Sequence, residues 1–242
     1  MTHALIIAHG QPSDPAPAEA DLAVLAAKAA VHLPGWTVGS ATLADEASLA
    51  RAVTGGGVVF PLFMAGGWFT RIHLPSRLKG AGADMALWHV LEPLGCAPAL
   101  HDLARVLVAE AVVAQGWDFT DTNLILAAHG SGRSPVPSDI ARHVLAGITA
   151  AFPLMRAEVA FIDQTPQLIH TQGFGPRSLC LPYFAAGGGH VTEDIPQALA
   201  ASGFAGTLLP PVGADLRIPA LIAQAILSGQ PVCANECRWR AA

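Results

Sequence analysis

The chain says one thing twice. "ALIIAHG" at residues 4–10 lies over "LILAAHG" at 124–130 with His9 over His129, a shift of 120. "VVFPLFMAGGWFTRIHLPSRL" falls on "LCLPYFAAGGGHVTEDIPQAL" at a shift of 121, matching Pro61 with Pro182, Gly66 and Gly67 with Gly187 and Gly188, and Pro75 with Pro196. "EPLGCAPAL" meets "PPVGADLRIPAL" at a shift of 118, with Pro93 over Pro211 and Gly95 over Gly213. Three anchors at nearly one shift mark a duplicated unit. The chain is therefore read as two similar lobes, 1–116 and 117–242, with no long linker. At 242 residues and 52% hydrophobic content, each lobe is near the usual size of a domain that can bury its own core.

Within each copy, strand and helix alternate. Short apolar runs fall at 4–8, 37–42, 57–62, 84–91, 123–128, 157–162, 178–183 and 205–209. They show little two-residue alternation, which is the pattern of strands buried on both faces. Between them, 138–151 reads as a helix with Ser138 as its cap, Asp139 in its first turn and a stripe of Ile140, Val144 and Ile148. Another helix runs from Pro98 to Gln115 and is closed by Gly116. The expected fold is α/β: two lobes, each a parallel four-stranded sheet flanked by helices, with a cleft between them.

Composition removes several classes of function. No apolar run is long enough to cross a bilayer, and the first strand leads to His9 and Asp14 rather than to a signal-peptide cleavage pattern, so the expected setting is cytoplasmic, with no membrane partner. A net charge of −5 without a basic run argues against nucleic acid. Glycine-rich stretches are present, but none has a dinucleotide or nucleophile-elbow spacing, so no nucleotide is expected. Of the four cysteines, Cys180 sits inside an apolar strand as a core residue would. Cys233 and Cys237 form a C-x3-C, half of a metal site at most, and the spacing argues against an iron–sulfur cluster. The state of assembly is open, and a homodimer is compatible with such a chain.

Ligands of parallel sheets bind outside the carboxyl ends of the strands. Three metal-ligating residue types stand there in the second copy: His129 after "LILAA", Asp163 after "AEVAFI", and His190 after "AAGGG". Two imidazoles and a carboxylate make an open divalent-metal site that leaves room for a substrate. Gly188 and Gly189, with Gly187, read as a tight turn that lets a flat ligand approach, and Thr192 reads as a helix cap with Glu193 and Asp194 in the first turn.

The pairing of an apolar strand ending in His129-Gly130-Ser131 with a later strand followed by Gly188-Gly189-His190 and Asp194-Ile195-Pro196 resembles the class II tetrapyrrole chelatases over essentially the whole chain. Sirohydrochlorin cobalt chelatases and their iron-inserting relatives are the nearest in pattern. The resemblance implies ATP-independent insertion of a divalent metal into sirohydrochlorin or a related tetrapyrrole, for cobalamin or siroheme biosynthesis. Metal is then a substrate, with Co2+ favoured over Fe2+. His129 and His190 hold it, and Asp163 supports them where the family commonly has Glu in a phrase like A-F-x-E. The tetrapyrrole's carboxylates would be met by Arg133 and the nearby Ser131, Gly188 and Gly189, with Arg71 and Arg77 as further cations, while Glu92, at the end of the first lobe's fourth strand, would add a carboxylate from across the cleft. A second reading is a sirohydrochlorin ferrochelatase, and a third is a carrier that binds metal or tetrapyrrole without turnover.

The copies are unequal. Phe69 stands opposite His190 and Ala44 opposite Asp163, so His9 has lost both partners, although His73 lies four residues past Phe69. The first lobe reads as a degenerate copy in which Trp68 and Phe69 offer aromatic surface.

Overall fold

The computed structural model describes residues 2–233 and 237–239. Two four-stranded sheets form, and every strand pairing within them is parallel. The first contains β1 (His3–Ala8), β2 (Thr37–Thr42), β3 (Gly57–Pro61) and β4 (Trp88–Val90) in the order β2-β1-β3-β4. The second contains β5 (Asn123–Ala128), β6 (Arg156–Phe161), β7 (Ser178–Pro182) and β8 (Thr207–Leu208) in the order β6-β5-β7-β8. Parallel neighbours need crossovers: α1 (Pro15–Ala30), α2 (Glu46–Ala52) and α3 (Leu74–Gly80) supply them in the first half, and α5 (Val136–Ala151) and α6 (Ile195–Ala201) in the second, where β6 and β7 are joined through a 3-10 turn at Leu168–His170; α4 (Pro98–Ala114) and α7 (Ile218–Ser228) follow the last strand of each sheet.

The central strands are apolar because both of their faces are covered. Leu124, Ile125, Leu126 and Ala127 of β5 are wholly buried, as are Ala4, Leu5, Ile6 and Ile7 of β1. Each leucine or isoleucine so buried contributes roughly 1.5 to 3 kcal/mol relative to exposure. One core cluster gathers Leu5, Leu49, Phe63, Leu74 and Trp88, and another gathers Ile125, Phe174, Phe184, Ile195 and Leu199. Cys180 belongs to the second, and burial pushes its thiol up to about 12.

The registers reproduce the internal repeat. Ala8 pairs with Thr42 and Ala128 with Phe161, so Ala44 and Asp163, two residues further along, occupy equivalent positions. The edge strands are shorter than their sequence suggests: 84–91 reduces to β4 because 84–87 turn, and 205–209 reduces to β8.

Packing divides the chain differently from the repeat. One compact unit is Met1–Ala97 with Leu216–Arg238, and the other is Pro98–Asp215 with Trp239–Ala242. Helix α7 packs on α1 and β3 in the first, and α4 packs on α5 and β7 in the second. The final helix of each sequence copy thus covers the other copy's sheet. Among the described residues no helix is long and apolar enough to cross a membrane.

Candidate functional site

The site builds outward from the end of β5. Backbone hydrogen bonds run from Ile162 N–H to Ala128 carbonyl at 3.1 Å and from Asp163 N–H to His129 carbonyl at 2.9 Å, carrying the sheet pairing one step past the strands. Asp163 is thereby set beside His129, with Oδ2 3.6 Å from Nε2. Gly130 follows at φ +76, and a Cβ there would lie 2.7 Å from Gln164 Cβ and 3.0 Å from Phe161 Cβ. Only glycine fits both the left-handed backbone and the close approach.

His129 Nδ1 lies 3.0 Å from the Gly130 carbonyl oxygen. A carbonyl only accepts, so Nδ1 carries the hydrogen and neutral His129 presents a bare Nε2 toward the Asp163 carboxylate. In that neutral tautomer Nε2 and the carboxylate oxygen, 3.6 Å apart, are two acceptors that suit a bridging cation.

His190 comes from the other side of the site. After β7 the chain passes through three glycines into a π-helical turn, His190–Asp194, closed by Ile195 N–H donating to the His190 carbonyl. The imidazole sits edge-on to His129, ring centroids 4.6 Å apart at 90°. Its Nδ1 lies 2.6 Å from Asp194 Oδ2. The structure therefore brings together His129, Asp163 and His190, all about half exposed. Among the described residues, no group of three His, Cys, Asp or Glu forms a ready-made metal cage.

Several local readings of the sequence are corrected here. None of Gly187, Gly188 and Gly189 takes a positive φ, and a Cβ on any of them would meet open space, so neither the backbone nor crowding demands glycine there. Their contribution is the bare surface beside His190, with Gly188 carbonyl accepting from Val191 and Thr192 N–H to start the π turn. Thr192 lies inside that turn and caps nothing. Ser138 lies inside α5, which begins at Val136 with Pro137 in its first turn, and its hydroxyl donates to the Pro135 carbonyl at 2.8 Å.

The other expected residues divide clearly. Ser131 braces the turn: its N–H donates to Gln164 Oε1 at 3.0 Å, and its Oγ accepts from Arg133 N–H at 3.2 Å. The Arg133 side chain is exposed just beyond. Arg77 is engaged by the Leu43 carbonyl and Glu46, and Arg71 by the Gly67 carbonyl. Glu92 is buried in the first unit, one oxygen paired to Arg238 and Oε1 without a hydrogen-bond partner among the described residues. Burial pushes its carboxyl up, while Arg238 opposes that shift. Cys233 and Cys237 line one small cavity with Glu92 and Cys96. A hydrogen bond with Cys237, together with burial, pushes the Cys96 thiol up.

In the first unit the equivalent corner is aromatic. The His9 ring lies 4.4 Å from Phe63 and 4.5 Å from Phe69, and His73 stacks on Trp68 at 5.4 Å and 28°. The residue that sequence reasoning passed over is Asp194, taken as a first-turn acid. The signal was present, since residues four apart share a helical face.

Comparison with known proteins converges on one family. The CbiX family model matches residues 123–228, the stretch that contains His129, Asp163, His190 and Asp194. The chain is 44% identical to CbiX, described as the terminal enzyme for biosynthesis of siroheme in denitrifying bacteria, with a TM-score of 0.87 over 93% of this chain and 98% of that one. This protein belongs to the CbiX family. Two structures of SirB from Bacillus subtilis share the fold at 14% identity. One, with Fe3+, has a TM-score of 0.70 and covers 95% of this chain and 96% of its own. The other, from subspecies spizizenii, is the sirohydrochlorin chelatase SirB in complex with cobalt, with a TM-score of 0.66 over 95% of each chain. Among curated proteins none matches.

Proposed function

We propose that this CbiX-family protein inserts a divalent metal into sirohydrochlorin or a closely related tetrapyrrole without a nucleotide, and that the working site is in the second lobe. The observation that carries this reading is the pairing of His129 Nε2 with Asp163 Oδ2 at 3.6 Å beside the edge-on ring of His190. His129 and His190 receive the metal, and Asp163 balances its charge. A free macrocycle must lose two pyrrole N–H protons as the metal enters. The Asp163 carboxylate can accept one as the ring nitrogens take the metal, and an imidazole nitrogen released by the departing metal can accept the other. An incomplete N/O ligand set suits a cargo metal, because a closed thiolate cage would not give it up.

The exposed Arg133 pairs with a substrate carboxylate, and the uncovered glycines at 188 and 189 leave space for the macrocycle edge. The 44% identical relative acts in siroheme biosynthesis, and siroheme contains iron, so Fe2+ joins Co2+ as a physiological cargo. A cytoplasmic setting accords with this chemistry.

The test is anaerobic absorbance of sirohydrochlorin with Co2+ or Fe2+, with and without substoichiometric protein. Many turnovers per chain are expected. A rate unchanged by protein would overturn the proposal, and a single equivalent of change would indicate a carrier.

A further inference from the structure

Asp194 lies four residues after His190, and its position in the fold separates it from ordinary helix-end acids. It immediately precedes α6, where an aspartate commonly caps the helix through its side chain. Here it makes no capping hydrogen bond, and its backbone is already helical at φ −66 and ψ −44. The carboxylate is turned to the imidazole instead, Oδ2 to Nδ1 at 2.6 Å.

The internal copy sharpens the point. The same π turn recurs at Phe69–His73, closed in the same way by Leu74 N–H donating to the Phe69 carbonyl. There phenylalanine replaces the leading histidine, and His73 stands where Asp194 stands in the second copy, stacked on Trp68. The first copy keeps the turn without any carboxylate at its fifth position. The backbone therefore does not require one, and Asp194 answers to His190.

We infer that Asp194 is a positioning residue for the metal-binding imidazole of His190: by accepting from Nδ1–H it fixes the tautomer and the ring rotation, so that Nε2 presents its lone pair beside His129. This rests on the metal site proposed above. The two histidines then reach the same state by different partners, a main-chain carbonyl for His129 and a carboxylate for His190. A carboxylate so placed also raises the donor strength of the ring, and loss of such a partner typically costs about 10- to 100-fold in metal affinity. Because both groups are about half exposed, the lower end of that range applies.

The experiment compares the full-length protein with D194A and D194N by 15N-detected NMR of the His190 ring and by anaerobic Co2+ titration, with circular dichroism as a check on folding. Wild type should show hydrogen on Nδ1 of His190. D194A should lose that single tautomer and about 10-fold in Co2+ affinity. D194N keeps an accepting oxygen and should restore both tautomer and most of the affinity. An unchanged tautomer and affinity in D194A, or D194N as impaired as D194A, would overturn the inference. If wild type binds no Co2+, the metal reading fails, and the NMR result still decides whether Asp194 sets the ring.

Discussion

The two corners built by "ALIIAHG" and "LILAAHG" share a backbone and differ in chemistry. Each has a central buried strand, a histidine at its end, a glycine at positive φ (+71 at Gly10, +76 at Gly130), and a π turn leading into a short helix with proline in its first turn. Onto that scaffold the second copy places His129, Asp163, His190 and Asp194. The first places His9, Ala44, Phe69 and His73, and its exposed histidine lies against the rings of Phe63 and Phe69. The device that aims side chains at the strand ends is thus separable from the ligands it aims. A single imidazole is a weak divalent-metal ligand, so His9, with Phe69 and Ala44 where the second copy has His190 and Asp163, is expected to make no second site.

The comparison breaks most sharply under alanine substitution. His129→Ala and His190→Ala should each lower single-turnover metal insertion about 100-fold or more, the scale of removing a positioned acid–base or ligand group, with circular dichroism unchanged. His9→Ala should cost only a few-fold under the same conditions. Similar losses from His9 and His129 would mean that the first corner works too.

The backbone half of the comparison predicts symmetry instead. Gly10→Ala would set a Cβ 2.5 Å from Thr42 Oγ1, and Gly130→Ala would set one 2.7 Å from Gln164 Cβ, both at left-handed φ. Each should destabilise its unit by about 1 to 3 kcal/mol, read by urea unfolding. A neutral effect at either position would show that the two turns are not the same device.

Much of this was legible in the sequence. The β-strand placements, the equivalence of Ala44 with Asp163 and the gathering of His129, Asp163 and His190 all follow from apolar runs and the internal shift, because strand ends in a parallel sheet are spatial neighbours by construction. The exchange of α4 and α7 between sheets was hidden, since an apolar helix stripe states that it is buried but not against which sheet. The π turns were hidden for a related reason. Thr192 and Asp194 carry ordinary cap signals, and only the His190–Asp194 hydrogen bond shows that the carboxylate is spent elsewhere. Glu92 read as a strand-end carboxylate available to the site, yet it is buried where the chain at Gln230–Val232 pairs beside it through the Glu92 N–H to Gln230 carbonyl bond.

That burial gives the smallest predicted effect. The Glu92 carboxyl is raised in the folded protein, so the native state holds its proton more tightly than the unfolded chain does. Its contribution to stability is therefore fully present below the unfolded value and is lost as pH rises through the folded one. Melting temperatures of wild type and Glu92→Gln between about pH 4 and 7 should diverge modestly in favour of Gln as pH increases. A difference that shrinks over that range would show that Arg238, rather than burial, dominates.

The central claim, one working metal site per chain, is tested most directly by anaerobic calorimetry of Co2+ binding to wild type, His9→Ala and His129→Ala. The account predicts a single site in wild type, retained in His9→Ala and lost in His129→Ala. Two tight sites in wild type, or a site that survives in His129→Ala and disappears in His9→Ala, would contradict it.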